Sequence, residues 1–284
     1  MLILAGFIVV IISVFGGFVL SHGQLGSLWQ PFELLIIGGA AAGAFVVSNP
    51  PKVVKASLAG IPLLVKGTPY KREDFLDILA MLYGVLTKIR KEGLMAIERD
   101  VDNPADSSVF TRYPKLMADK HLMEFTTDCL RLMVSGNLDP MELEQLLEVE
   151  VETHHKEAAE PAHALQTLAD SLPGFGIVAA VLGIVTTMAS IGGEVGEIGK
   201  HVAGALVGTF LGILLGYGFV GPLAAALTHR AHEEGKVFEI IKMALVSSLR
   251  GYPPTVAVEF ARKLLFSDVR PAFADLEAHL RASR

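Results

Sequence analysis

The sequence is poor in the residues that most chemistry needs. It holds one cysteine, Cys129, in 284 residues. That excludes an intrachain disulfide framework and a multi-cysteine zinc site. Charged residues make up only 19%, against roughly a quarter in ordinary soluble domains. The shortage argues against a purely soluble protein, and a hydrophobic share of 51% argues against disorder. Positive charge is not in excess, since the net charge is −6; a nucleic-acid partner is not expected. There is no Gly-Lys-Ser/Thr phosphate loop, no Gly-x-Ser-x-Gly elbow and no His-Glu-x-x-His motif, so no enzyme is expected. His154 and His155 are adjacent and would point about 100° apart on a helix. His229 and His232 could share a face, but no further ligands accompany them, so neither a metal nor a cofactor is expected. The acidic residues after Asp139 read as a solvated helix face.

What is present is a set of long uncharged runs. Leu2 to Leu20 has 19 residues without charge, and about 28 Å of helix matches the bilayer core. A cleaved signal peptide is the competing reading, but a basic leader and an Ala-x-Ala-like site are missing. Residues 32–48 give a second span, with Phe32 and Glu33 at the interface; a re-entrant piece is the alternative there. Pro173 to Ile191 and Val202 to Leu227 supply the third and fourth. Of 24 Lys and Arg residues, 14 fall in 51–170 and 9 after 228. The positive-inside rule therefore places both termini, 51–170 and the tail in the cytoplasm. The expected fold is an all-α integral membrane protein with four transmembrane helices. Its segments are 1–50 (spans one and two), 51–170 (a large helical cytoplasmic domain), 171–227 (spans three and four, to about 223) and 228–284 (a helical cytoplasmic tail).

In the cytoplasmic part, helical spacing of Phe75, Ile78, Leu79, Leu82, Val85, Leu86 and Ile89 predicts a helix over 74–91, stopped at Gly93. A short helix over 94–99 and a loop over 102–114 should follow, then a helix over 118–134 ending at Gly136. Asp139, Pro140 and Glu142 form a capping signature for another helix. In the spans, Gly204, Gly208, Gly212 and Gly216 recur every fourth residue, a strip suited to a crossing neighbour. Gly39 with Gly43, and Gly176 with Ala180 and Gly183, are smaller strips of the same kind. Packing within the chain and packing between copies both fit them. Asp170 or Ser171 could cap a helix starting at Pro173, and Pro222 should kink the fourth span. The spans hold no Asp, Glu, Lys, Arg or His between their ends, but Thr186, Thr187 and Thr209 offer hydroxyls. If an ion passes, the titrating group should come from a partner chain.

Long collinear stretches carry a resemblance. MLILAGFIVVIISVFGGF, ERDVDNP with the later YPKLMAD, DSLPGFGIVAAVLGIV, VGTFLGILLGYGFVGPLA and AVEFARK resemble the MotA family of flagellar motor stator subunits, within the MotA/TolQ/ExbB superfamily. The resemblance implies a homopentamer around a MotB dimer in the bacterial inner membrane. MotB would supply the titrating aspartate and a peptidoglycan anchor, and the rotor protein FliG would be driven. It further implies rotor-facing charges at Arg90 and Glu98, functional prolines at Pro173 and Pro222, a pore hydroxyl at Thr209 and an acidic group near the inner mouth at Asp170. Sodium-driven relatives of the PomA type carry threonine where this sequence has Ala180, so the transported ion is expected to be H+. An ExbB/TolQ-like energiser, a sodium-driven stator, a solitary transporter and a structural scaffold are the competing readings.

Overall fold

Apolar runs and helix-capping residues divide the chain into helices only; no strand occurs among the described residues of this computed structural model. These are residues 2–67, 70–136, 139–189 and 195–282. Four segments are long and apolar enough to cross a membrane, Leu2–Leu20, Leu25–Ser48, Pro140–Ala189 and Ile198–Leu249. The chain divides into two compact units, Met1–Gly67 with Ala159–Arg230, and Thr68–Ala158 with Ala231–Arg284. The first unit therefore takes in residues on either side of the expected spans, 51–67 and 159–170.

In the spanning unit, Ile37 and Ala41 of the Pro31–Ser48 helix pack with Leu172, Ala179, Val207 and Leu211. Phe45, Val53 and Leu64 pack with Ala162, Leu165, Ala224 and Leu227. The first span buries no residue of its own, and ring contacts such as Phe7 with Phe219, 5.2 Å between centroids, join it to the fourth. Large apolar side chains such as Ile8, Ile177, Val185 and Leu206 are exposed. In water that surface would aggregate; in lipid it is ordinary solvent contact.

One expectation about the spans needs correction. The sequence suggested a helix start at Pro173, yet Pro140–Ala189 is one continuous helix with Pro161 and Pro173 inside it. Proline there deletes the bond to the carbonyl four residues earlier, that of Ala169. The neighbouring helix reaches this point: a Cβ at Gly216 would lie 2.6 Å from the Ala169 oxygen. Such close approach lets a Cα–H meet the freed carbonyl, which eases proline's cost. Pro222 lies inside a helical run, as its sequence setting implied. A wide π-helical segment, Leu214–Val220, precedes it, and the Gly221 N–H bonds back to the Gly216 carbonyl. Pro222 follows that wide turn within one uninterrupted helix, since Gly221 keeps helical φ and ψ, and a wide turn is where a helix can do without one backbone bond. Residues 190 and 191 of the expected third span lie outside the described residues.

The second unit has its own core. Ile78, Leu79, Leu82 and Leu86 of the Arg72–Glu92 helix pack with Leu122 and Leu130 of Lys120–Ser135, with Leu143 and Leu147, and with Val237, Ile241 and Leu245. Caps set the boundaries. The Asp119 carboxylate accepts from the Leu122 N–H at 3.1 Å, and Gly136 terminates that helix at φ 96°. The Asp139 carboxylate accepts from Met141 and Glu142 N–H groups while Glu142 accepts from the Asp139 N–H, a reciprocal cap. The stretch expected as a loop after Asp102 is instead short turns, Pro104–Asp106 and Phe110–Arg112, then the Pro114–Met117 helix. Buried Phe110 anchors it, and the Ser107 hydroxyl accepts from the Val109 and Phe110 N–H groups.

Candidate functional site

The glycine strip of the fourth span is where the spanning helices come closest. A Cβ at Gly212 would meet the Leu172 carbonyl oxygen at 2.6 Å and the Gly176 Cα at 2.9 Å. One at Gly208 would meet Ala179 Cβ at 3.2 Å and Ala180 N at 3.5 Å. One at Gly176 would lie 2.9 Å from the Gly208 oxygen and 3.3 Å from the Thr209 Cα. Gly176, Ala180, Gly208, Thr209 and Gly212 thus form one backbone-to-backbone joint. Gly183 extends it, its added Cβ lying 2.9 Å from that of Ala205. Gly204 leaves this face for the second span, where Glu33 Oε1 would lie 3.1 Å from a Cβ. The strip winds, as four-residue spacing requires. Gly39 and Gly43 have no atom within 4 Å of such a Cβ and do not join the packing within the chain.

The hydroxyls divide. Thr186 donates to the Leu182 carbonyl at 3.0 Å and Thr187 to that of Gly183 at 2.8 Å, each within its own helix. Thr187 is buried, Thr186 exposed and Thr209 half-buried beside Gly176. Asp170 is exposed and accepts from the Gln166 amide at 2.9 Å. It lies one residue past Ala169, whose carbonyl Gly216 covers. Glu33 is the ionisable group that the sequence reading passed over as an interface residue. Its Oε2 is shielded from solvent and has no hydrogen-bond partner. The only sequence signal for this was an acidic residue one helical turn before the apolar core of span two.

Arg90 and Glu98 belong to the other unit, and both are exposed. Arg90 sits in the last turn of Arg72–Glu92, and Glu98 opens the short Glu98–Asp102 helix. Glu98 lines an open groove of about 350 Å³ with Met95, Val101, Asp102, Arg131 and Val134. Arg131 spans its wall, bonded to Asp128 at 2.6 Å and to the Val101 carbonyl at 3.2 Å. Beneath, Lys88 and Asp100 pair at 2.5 Å and pin the two helix ends together. The lone Cys129 is buried, and burial followed by the charges of Glu150 and Asp128 pushes its thiol well above the usual range. It is therefore an inert core residue. Among the described residues, no group of three His, Cys, Asp or Glu could hold a metal.

Comparison with known proteins gives this geometry a family. The Motility protein A N-terminal family matches residues 4–93, and the MotA/TolQ/ExbB proton channel family matches 117–240. Motility protein A of Salmonella typhimurium is 49% identical over 284 residues, covering 100% of this chain and 96% of that relative. The chain belongs to the MotA family of flagellar stator subunits. Two solved structures share the MotA fold. C. jejuni MotAB matches with a TM-score of 0.75 at 20% identity, covering 95% of this chain and 98% of that one. The flagellar MotAB stator complex from Bacillus subtilis matches with 0.71 at 24%, covering 97% and 98%. Like its MotA relatives this is a multi-pass membrane protein of a proton-channel family.

Proposed function

We propose that this MotA-family chain, assembled as a homopentamer around a MotB dimer, conducts protons and drives rotation against FliG. The observation that supports the reading best is the joint of spans three and four. Its closest contacts are backbone atoms and small side chains, and no ionisable group sits within it. A channel built on such helices takes its titrating carboxylate from a partner, which is the part that MotB plays. One charge falling through about 100 mV releases about 2.3 kcal/mol, enough to bias a step between similar contacts and too little to remake a packed core.

Ala180 lies against Gly208 and offers no side-chain oxygen where a sodium site would need one, so H+ is the proposed ion. The charge distribution supports cytoplasmic termini, and the stator reading carries with it the inner membrane. Arg90 and Glu98 then face the rotor, where exposed ion pairs of about 0–1 kcal/mol each suit repeated brief contact. Deletion of the gene tests the reading. Intact filaments on paralysed cells are expected, rescued by the wild-type gene and not by Arg90→Glu with Glu98→Lys. Motile deletion cells with an envelope or uptake defect would favour an ExbB/TolQ-like energiser.

A further inference from the structure

Glu33 is unusual for its surroundings. It stands in the first turn of the Pro31–Ser48 helix, at the end remote from Ser48, and its carboxyl group turns against the fourth span at Gly204. The fit depends on that glycine: a Cβ at residue 204 would sit 3.1 Å from Oε1 and 3.5 Å from the Gln30 side chain beside it. The Gln30 amide donates to the Ser27 carbonyl at 3.2 Å, and neither it nor any other group bonds to Oε2. Oε2 is left shielded and without a partner. A shielded carboxylate oxygen that bonds to nothing is costly and calls for a cause. Helix-dipole stabilisation in a first turn explains an acidic residue there, but it does not explain why the side chain folds inward onto a glycine.

On the same helix, Thr209 lies five residues beyond Gly204, about 7.5 Å along the axis. Thr209 belongs to the joint with Gly176. With the orientation proposed above, Glu33 lies at the outer mouth of the channel and Thr209 further in. We propose that Glu33 is a proton-collecting group at the outer entrance of the conduction path. Its carboxylate takes a proton from hydronium, leaving water, and becomes a neutral acid. It then gives that proton to a water molecule on the channel side and regains its charge. The group sets the supply of protons and does not replace the titrating aspartate of the partner. The inference rests on the stator reading and names a residue of this chain within it.

The test uses the full-length chain expressed with its MotB-type partner in stator-deleted cells. Rotation speed, cytoplasmic acidification and membrane abundance are read across external media from mildly acidic to mildly alkaline. Glu33→Gln is expected at wild-type abundance and at wild-type speed in acidic medium. In alkaline medium, where collection limits supply, flux should fall about two- to five-fold, the scale on which one negative charge concentrates cations at a solvated mouth. Glu33→Asp should keep most of the wild-type pH profile. Equal speeds for Glu33→Gln and wild type at every external pH would overturn the proposal. So would an equal loss by Gln and Asp at every pH, the mark of a packing role. If Glu33→Gln does not reach the membrane, Glu33→Ser takes its place; it removes the carboxylate with a smaller side chain, and the same alkaline-selective loss is expected. A loss independent of pH in that variant overturns the proposal. A wild-type chain that restores no rotation would instead refute the stator reading.

Discussion

Replacing Gly212 by alanine adds one methyl group at the tightest point between the third and fourth spans. The new Cβ would lie 2.6 Å from the Leu172 oxygen, 2.9 Å from the Gly176 Cα and 3.1 Å from the Gly176 nitrogen. All three are backbone atoms, so no rotamer change relieves the clash. An ordinary C···O contact is about 3.3–3.6 Å, so the helices must part by nearly an ångström. That movement also loosens the neighbouring contacts of Gly208 with Ala179 and of Gly216 with Ala169. Overpacking of this kind costs about 1–3 kcal/mol. Alanine's better helix propensity returns about 1 kcal/mol, which leaves a net loss of about 0–2 kcal/mol, at the upper end here because only backbone can yield. Gly43→Ala makes the same propensity gain with no atom within 4 Å of its Cβ. Thermal unfolding of the detergent-purified chain should show Gly212→Ala melting several degrees below wild type and Gly43→Ala at or above it. The reasoning fails if Gly212→Ala melts with the wild type, or if the two variants change places.

Other outcomes follow from the second unit. Arg262 is buried, held by Glu259 at 2.6 Å through two nitrogens and by the Pro271 carbonyl at 2.7 Å; Arg262→Ala should cost about 3 kcal/mol in chemical denaturation by leaving these acceptors unmet. The hydrogen bond and charge of Arg262 hold Glu259 below the usual carboxylate range against the opposing effect of its burial. Its contribution is therefore complete above the unfolded value and fades as pH falls through the folded one, so Glu259→Gln should flatten the acid side of the stability curve. Burial, then repulsion from His155 and His121, lowers the pKa of His154, which stacks on Phe238 at 3.9 Å against weaker opposing pulls from Glu157 and Asp119. The unfolded chain then binds the extra proton, so stability should drop as pH falls below about 6.5, and His154→Leu should remove that slope in unfolding midpoints measured at graded pH. Asp119→Ala removes both the cap on Leu122 and the acceptor for the Tyr70 hydroxyl, and should lower stability by about 1–2 kcal/mol in the same assay.

Local chemistry was readable where a helix boundary depends on its own residues. Asp139, Pro140 and Glu142 announced a reciprocal cap, and the bonds are present. Asp170, Ser171 and Pro173 announced a helix start by the same logic, and there it misled. What overrides it is the distant Gly216, which lets another helix cover the carbonyl that Pro173 frees. The breakers in 102–114 suggested a loop because burial of Phe110 cannot be seen from neighbouring residues. Glycine strips show the limit most clearly. Gly39 and Gly43 look like Gly208 and Gly212 on paper, but only the second pair has a backbone opposite it. Glu33 was visible as an acidic residue at a span end; its turn onto Gly204 was not, since that depends on how two helices meet.

The wide turn at Leu214–Val220 has a consequence for how this chain tolerates changes in length. A π-helical stretch accommodates one more residue than the α-helix it interrupts. Deleting a single residue there would return the path to α-helical geometry without breaking the helix. Every residue from Pro222 onward would then keep its angle to the spans to within about 30°, because the residue removed is the one that the wide turn absorbs. Leu227, which packs with Phe45 and Leu165, would still face them. The segment thus works as a length buffer between the glycine strip before it and the helix that follows. A one-residue deletion in 214–220 should be tolerated far better than one in the α-helix just after it, where every later residue would turn by about 100°.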